Sequence, residues 1–131
     1  MEAEPIWIEP GVVEKVHEQQ LELHGGQEGI RDRGMLESAL GRPRNLWAYS
    51  DPRPDAAQLA ASYAFGIAKN HPFVDGNKRT AFVACRLFLS RNGYTVQATQ
   101  EDKYQTFLAL AAGELSEEQL AAWLRERVQP A

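Results

Sequence analysis

A chain of 131 residues, 44% apolar and 24% charged, can bury one core without cross-links and is too apolar to stay disordered. Its formal charge of −4 excludes the broad basic face with which nucleic-acid binders release counterions, so no direct nucleic-acid partner is expected and any polyanion must meet a local basic site. The lone cysteine, Cys85, excludes an internal disulfide and a zinc centre of several thiolates, and no window nears the ~18 apolar residues that span a bilayer, so the expected setting is the cytoplasm with no membrane partner.

The opening MEAEPIWIEP, acidic and broken by two prolines, lacks the basic and apolar segments of a secretory signal. Residues 6–8 read as a short extended piece. Pro10 stands where a helix can begin, and Val12, Val13, Val16, Leu21 and Leu23 fall on one side of it until Gly25 and Gly26 stop it. GGQEGIRDRG then reads as loop and MLESAL as a short helix closed by Gly41 and Pro43. Prolines 43, 52 and 54 make residues 42–55 a loop, since a helix interior excludes them. Leu46, Trp47 and Tyr49 in that loop suit either a cluster tucked beneath it or a partner-binding flap.

Residues 56–69 carry Leu59, Tyr63 and Ile67 at four-residue spacing beside Ala60, Ala64 and Ala68, an amphipathic helix with a small-residue face that Pro72 ends. Residues 78–91, apolar on nearly every side, read as the central helix enclosed by the others. RNG closes it at Gly93, and YTVQA reads as a short extended piece. Thr99 caps a helix bearing Tyr104, Phe107, Leu108 and Ala111, and SEEQ is a capping box opening a last helix with Leu120, Trp123, Leu124 and Val128. The expected class is all-α, about six helices around a central buried one, as a single domain over residues 1–131.

Chemistry concentrates in NHPFVDGNKRTA, residues 70–81. With Asp75, Gly76 and Asn77 at the entrance of a helix and Lys78 and Arg79 in its first turn, unpaired backbone N–H groups, the helix dipole and two cations converge on one point. Cations sit badly at a helix N-terminus unless a bound polyanion offsets the repulsion. Gly76 removes a side chain where a phosphate would approach the backbone. Asp75 would weaken such a site unless Mg²⁺ bridged it to phosphate oxygens, and His71, four residues earlier, can take a proton from an incoming hydroxyl. Together these describe phosphoryl or nucleotidyl transfer. Phe73 reads as a core anchor for the loop, Arg86 as a phosphate contact or a surface residue, and Cys85 as core. His17 and His24, seven apart, fit no zinc spacing.

HPFVDGNKR resembles the signature of Fic-domain proteins, and with Lys78 after Asn77 it is similar to the Doc (death-on-curing) toxin branch. GGQEGIRDRGMLESAL, LFLSRNGYTV and AAGELSEEQLAAWL also resemble Doc-type sequences, in order and spacing. The resemblance implies an all-α Fic fold and a type II toxin–antitoxin system in which a Phd-like antitoxin docks its C-terminal segment on the toxin. It further implies a protein kinase that uses ATP and Mg²⁺ to phosphorylate a threonine of elongation factor Tu. By position, His71 is then the base, Asp75 the Mg²⁺ ligand, and Gly76, Asn77, Lys78 and Arg79 the nucleotide-binding residues. Residues 44–50, with Leu46, Trp47 and Tyr49, correspond to the flap that aligns a target by strand-like pairing.

Fic enzymes that transfer AMP usually carry glycine where this chain has Lys78, whose side chain would crowd the α-phosphate and favours γ-phosphoryl transfer. AMP transfer, suggested by the HPF and DGN of the motif, is the alternative, and a non-catalytic nucleotide- or antitoxin-binding module is a further one. The self-inhibitory Fic pattern is missing from the sequence, so inhibition is expected from a separate chain.

Overall fold

The computed structural model describes residues 3–131. Six helices follow one another as α1 (Pro10–His24), α2 (Arg33–Tyr49), α3 (Ala56–Asn70), α4 (Asn77–Arg91), α5 (Gln100–Ala111) and α6 (Glu117–Arg127). Two short strands, β1 (Tyr94–Val96) and β2 (Val128–Pro130), pair antiparallel with Thr95 opposite Gln129. The all-α expectation holds. No helix among the described residues is long and apolar enough to cross a membrane.

The central helix is α3 rather than α4. Ten of its fifteen residues are buried, against seven in α4, and it packs on α2, α4, α5 and α6. The reason lies in side-chain size: alanines, Ser62 and Gly66 let neighbouring backbones approach, while Leu59, Tyr63 and Ile67 fill the space between. A Cβ at Gly66 would stand 3.2 Å from the main chain of Ala39, so this glycine sets how closely α2 and α3 can lie. Each of the large side chains, fully enclosed, contributes about 1.5–3 kcal/mol of hydrophobic stabilisation.

The expected proline-rich loop is a correction. α2 does not stop at Gly41 but runs through Pro43 to Tyr49, because Leu36, Ala39, Leu40, Pro43 and Trp47 form one buried stripe against α3. Pro43 removes one backbone donor, a local cost of about 3 kcal/mol that the stripe outweighs. Residues 6–8 form no strand. Instead Ile8 N–H donates to the Tyr63 hydroxyl at 3.0 Å and Ile6 N–H to Asn92 Oδ1 at 2.9 Å, which straps the segment over α3 and α4.

The caps fall where the side chains predict. Asp32, Asp55, Thr99 and Ser116 each accept a backbone N–H at a helix start, and Ser116 and Gln119 form the reciprocal capping box. Cys85 is buried in α4 with its thiol pushed up to about 12 by desolvation. Arg86 is exposed and lies over the Phe82 ring at 5.6 Å, a surface residue.

Candidate active site

The site is the turn between α3 and α4. α3 ends because Pro72 cannot continue it and because His71 adopts the left-handed conformation at φ 52, ψ 54. That conformation costs a non-glycine residue about 1 kcal/mol. Arg31 stabilises it from across the chain: its Nε donates to the His71 carbonyl at 2.7 Å and its Nη2 to the Asn70 carbonyl at 2.8 Å. A cation on the last carbonyls of a helix also meets the negative end of the dipole.

Phe73 is fully buried, as expected of an anchor, and stacks on the His17 ring with centroids 3.8 Å apart and planes at 8°. Asn77 closes the turn by a pair of hydrogen bonds, Oδ1 accepting from Phe73 N–H at 3.0 Å and Nδ2 donating to the Phe73 carbonyl at 2.9 Å. Its buried side chain is thus committed to the loop. Asn77 lines the cleft at the first residue of α4, with its side-chain amide already paired to Phe73.

Gly76 is the N-cap of α4 at φ 78, a left-handed position. A Cβ there would only touch His17 and Leu21 at 3.5 Å. Backbone conformation therefore calls for glycine here, and the residue also lines the cleft. Asp75 accepts Gly76 N–H at 2.8 Å on Oδ1 and Gln27 N–H at 3.2 Å on Oδ2. The Gln27 and Gly76 amides, with a smaller attraction from Arg79, hold its exposed carboxyl below the ordinary carboxylate value.

His71, Asp75, Gly76, Asn77, Lys78 and Arg79 all line one cleft of about 360 Å³, completed by Ala68 and Ala111. The imidazole of His71 is exposed and, among the described residues, makes no hydrogen bond. Lys78 is half-buried with Nζ 5.6 Å from the Tyr104 ring centre, and Arg79 Nη2 donates to the Gly25 carbonyl at 3.1 Å. A larger groove of about 640 Å³ is rimmed by Glu14, Glu18, Glu22 and Glu28. Four carboxylates repel a phosphate, so of the two the smaller cleft, with its helix opening and two cations, has the charge that suits an anion.

The flap reading of residues 44–50 is corrected. That segment is helical up to Tyr49, Trp47 is buried in the core beneath Arg53, Leu46 is half-buried and Tyr49 is exposed, and none of the three lines the cleft. The segment that pairs strand-like beside the site is instead residues 29–31. Ile30 bridges Phe73 in antiparallel fashion, with Arg31 N–H donating to the Pro72 carbonyl at 2.7 Å and Val74 N–H to the Gly29 carbonyl at 3.0 Å. Gly26 approaches Asp75 so closely that a Cβ would stand 2.8 Å from Oδ2. His17, Gly26 and Arg31 are the site residues that the sequence alone does not single out, because only folding brings them to the turn.

No group of three or more metal-binding side chains exists among the described residues. A single ionised carboxylate lining a cleft beside two cations and a helix opening fits Mg²⁺, which takes one or two protein carboxylates and completes its shell with phosphates and water.

A sequence profile of the Fic/DOC family matches residues 7–89. Among curated proteins, the chain is 35% identical over 118 residues to "Protein kinase doc" of Escherichia phage P1, covering 90% of this chain and 92% of that protein. It is 40% identical over 74 residues to "Toxin Doc" of Mycolicibacterium smegmatis, covering 56% and 57%.

Proposed function

The chain belongs to the Fic/Doc family, and from that premise we propose that it is a toxin that transfers the γ-phosphoryl group of ATP to a protein hydroxyl. The observation that carries this reading is the single cleft at the opening of α4, lined by His71, Asp75, Gly76, Asn77, Lys78 and Arg79. The relatives' names, a protein kinase and a toxin, support it.

In this mechanism the backbone N–H groups at the start of α4, with Lys78 and Arg79, hold the phosphates. His71 takes the proton of the acceptor hydroxyl as its oxygen bonds to the γ-phosphorus and the β–γ bridge breaks, releasing ADP. Asp75 would hold Mg²⁺, which when bound supplies charge neutralisation for the phosphates. Arg31 keeps the His71 backbone in its left-handed turn, so the base is positioned by a residue 40 positions away. Strand-like alignment of the target falls to residues 29–31. The Ile30–Phe73 bridge uses the flanking Gly29 carbonyl and Arg31 N–H, which turns the N–H and carbonyl of Ile30 outward.

Family membership makes a threonine of elongation factor Tu the first acceptor to test and a Phd-like antitoxin the expected silencer. AMP transfer is the second reading, and one contact favours it. Lys78 turns towards Tyr104 on α5, so its ammonium does not have to crowd an α-phosphate at the helix opening.

The test uses purified protein, elongation factor Tu and ATP labelled at the γ- or the α-phosphate. Transfer of the γ-label supports the kinase, and transfer of the α-label alone moves the chain to AMP transfer. Growth arrest that persists unchanged in His71→Ala would mean that catalysis is not its cause, leaving a binding module.

A further inference from the structure

We propose that His17 is a positioning residue of this site, holding the Asp75–Gly76 peptide plane in the one orientation that serves the cleft. The kinetic arm of its test rests on the phosphoryl-transfer reading; the structural arm does not.

His17 sits on α1, 58 positions before Asp75, and is 4% exposed. Its Nε2 lies 2.7 Å from the main-chain oxygen of Asp75. A carbonyl oxygen only accepts, so Nε2 carries the hydrogen and the tautomer is fixed by the contact. In a trans peptide the carbonyl and the following N–H point in opposite directions. With the Asp75 carbonyl directed at α1, the Gly76 N–H is turned away from α1, where it donates to Asp75 Oδ1 at 2.8 Å.

That orientation needs an external hold. Gly76 has no Cβ and visits both signs of φ with little penalty, so the 75–76 plane can rotate as a unit. Asp75 is exposed, and its carboxylate is fixed by the Gly76 amide and the Gln27 amide. A rotated plane withdraws the first of these and points a carbonyl, rather than an N–H, toward the carboxylate. Such a turn repels the anions it otherwise attracts. The His17 ring is held for this task by its stack on Phe73, which Asn77 and Ile30 in turn fix.

The hydrogen bond and the stack separate by substitution. His17→Phe keeps a ring on Phe73 and loses the donor, whereas His17→Gln loses the ring and keeps an N–H donor at the reach of Nε2. Three properties are measured on the full chain: thermal stability, hydrogen exchange of the Gly76 amide, and the rate of γ-label transfer. The expected pattern is crossed. His17→Phe keeps the stack and melts no lower than His17→Gln, while Gly76 exchange rises and transfer falls, each about tenfold, the worth of one hydrogen bond. His17→Gln melts lower yet keeps exchange and rate within about twofold of the parent, far inside that margin.

If exchange and rate follow the ring instead, or if neither variant departs from the parent, the positioning role is wrong. Loss in both variants alike also overturns it, because the donor then fails to rescue. Should His17→Phe not fold, unchanged Gly76 exchange in His17→Gln sustains the assignment and accelerated exchange removes it. A parent that transfers no label overturns the kinase reading while the Gly76 comparison still decides the role of His17.

Discussion

His71 shows what a single residue can ask of its surroundings. Its left-handed backbone presents an exposed imidazole at the cleft, so His71→Ala removes the proposed base without opening a cavity. Label transfer is expected to fall roughly 10²–10⁴-fold, the usual contribution of a general base, with little change in melting temperature. Gly26 is constrained in the opposite way, by lack of room. A Cβ would press to 2.8 Å from Asp75 Oδ2 and 2.9 Å from Leu21 Cδ2 at a φ of 125. Gly26→Ala should therefore destabilise by about 1–3 kcal/mol and displace the carboxylate, read as a lower urea midpoint together with slower transfer. The contiguous part of this site was legible in the sequence, because residues 71–79 carry their chemistry in one string. The spatial partners were not, since His17, Gly26 and Arg31 acquire their roles from contacts 40 to 58 positions distant.

At the scale of elements, the caps and periodicities gave helix starts to within a residue or so, whereas α2 was misread from local chemistry. Its Pro43 forfeits a hydrogen bond but is buried with Trp47 against α3, a gain no local rule contains. Pro43→Ala should restore a donor facing the Ala39 carbonyl, recovering about 3 kcal/mol of local cost less about 1 for the small cavity, and so raise the urea midpoint. The joint between α3 and α6 carries a pH signature. Burial draws the Asp55 carboxyl upward, but the Arg125 guanidinium at 2.6 Å and the Gln58 N–H outweigh it, and the group titrates below its ordinary 3.8. A depressed native value means that this contribution to stability is full above about 3.8 and drains as pH falls through the lower, folded value. Asp55→Asn keeps a cap without the titrating charge. Below pH 4 the parent should lose urea resistance more steeply than this variant.

Across the whole molecule, the cleft gathers residues from the end of α3, from the turn that follows it and from the start of α4, with Ala111 of α5 as its far wall, while the Gln27 amide of the loop after α1 holds Asp75 from behind. A ligand that binds only this assembled arrangement raises stability by linkage, about 2.7 kcal/mol at a hundredfold excess over its dissociation constant. ATP with Mg²⁺ should therefore raise the melting temperature by several degrees, and chelation of the metal should remove much of that rise; no shift in either case would count against the nucleotide site. α4 begins at this cleft and, two turns on, encloses Cys85 within the core. The sulfur whose ionisation burial opposes in the native fold becomes an ordinary reactive thiol once α4 leaves the core. A disulfide reagent at mildly alkaline pH would thus ignore the intact protein and count only its openings, giving the chain a built-in clock for how often its centre comes undone.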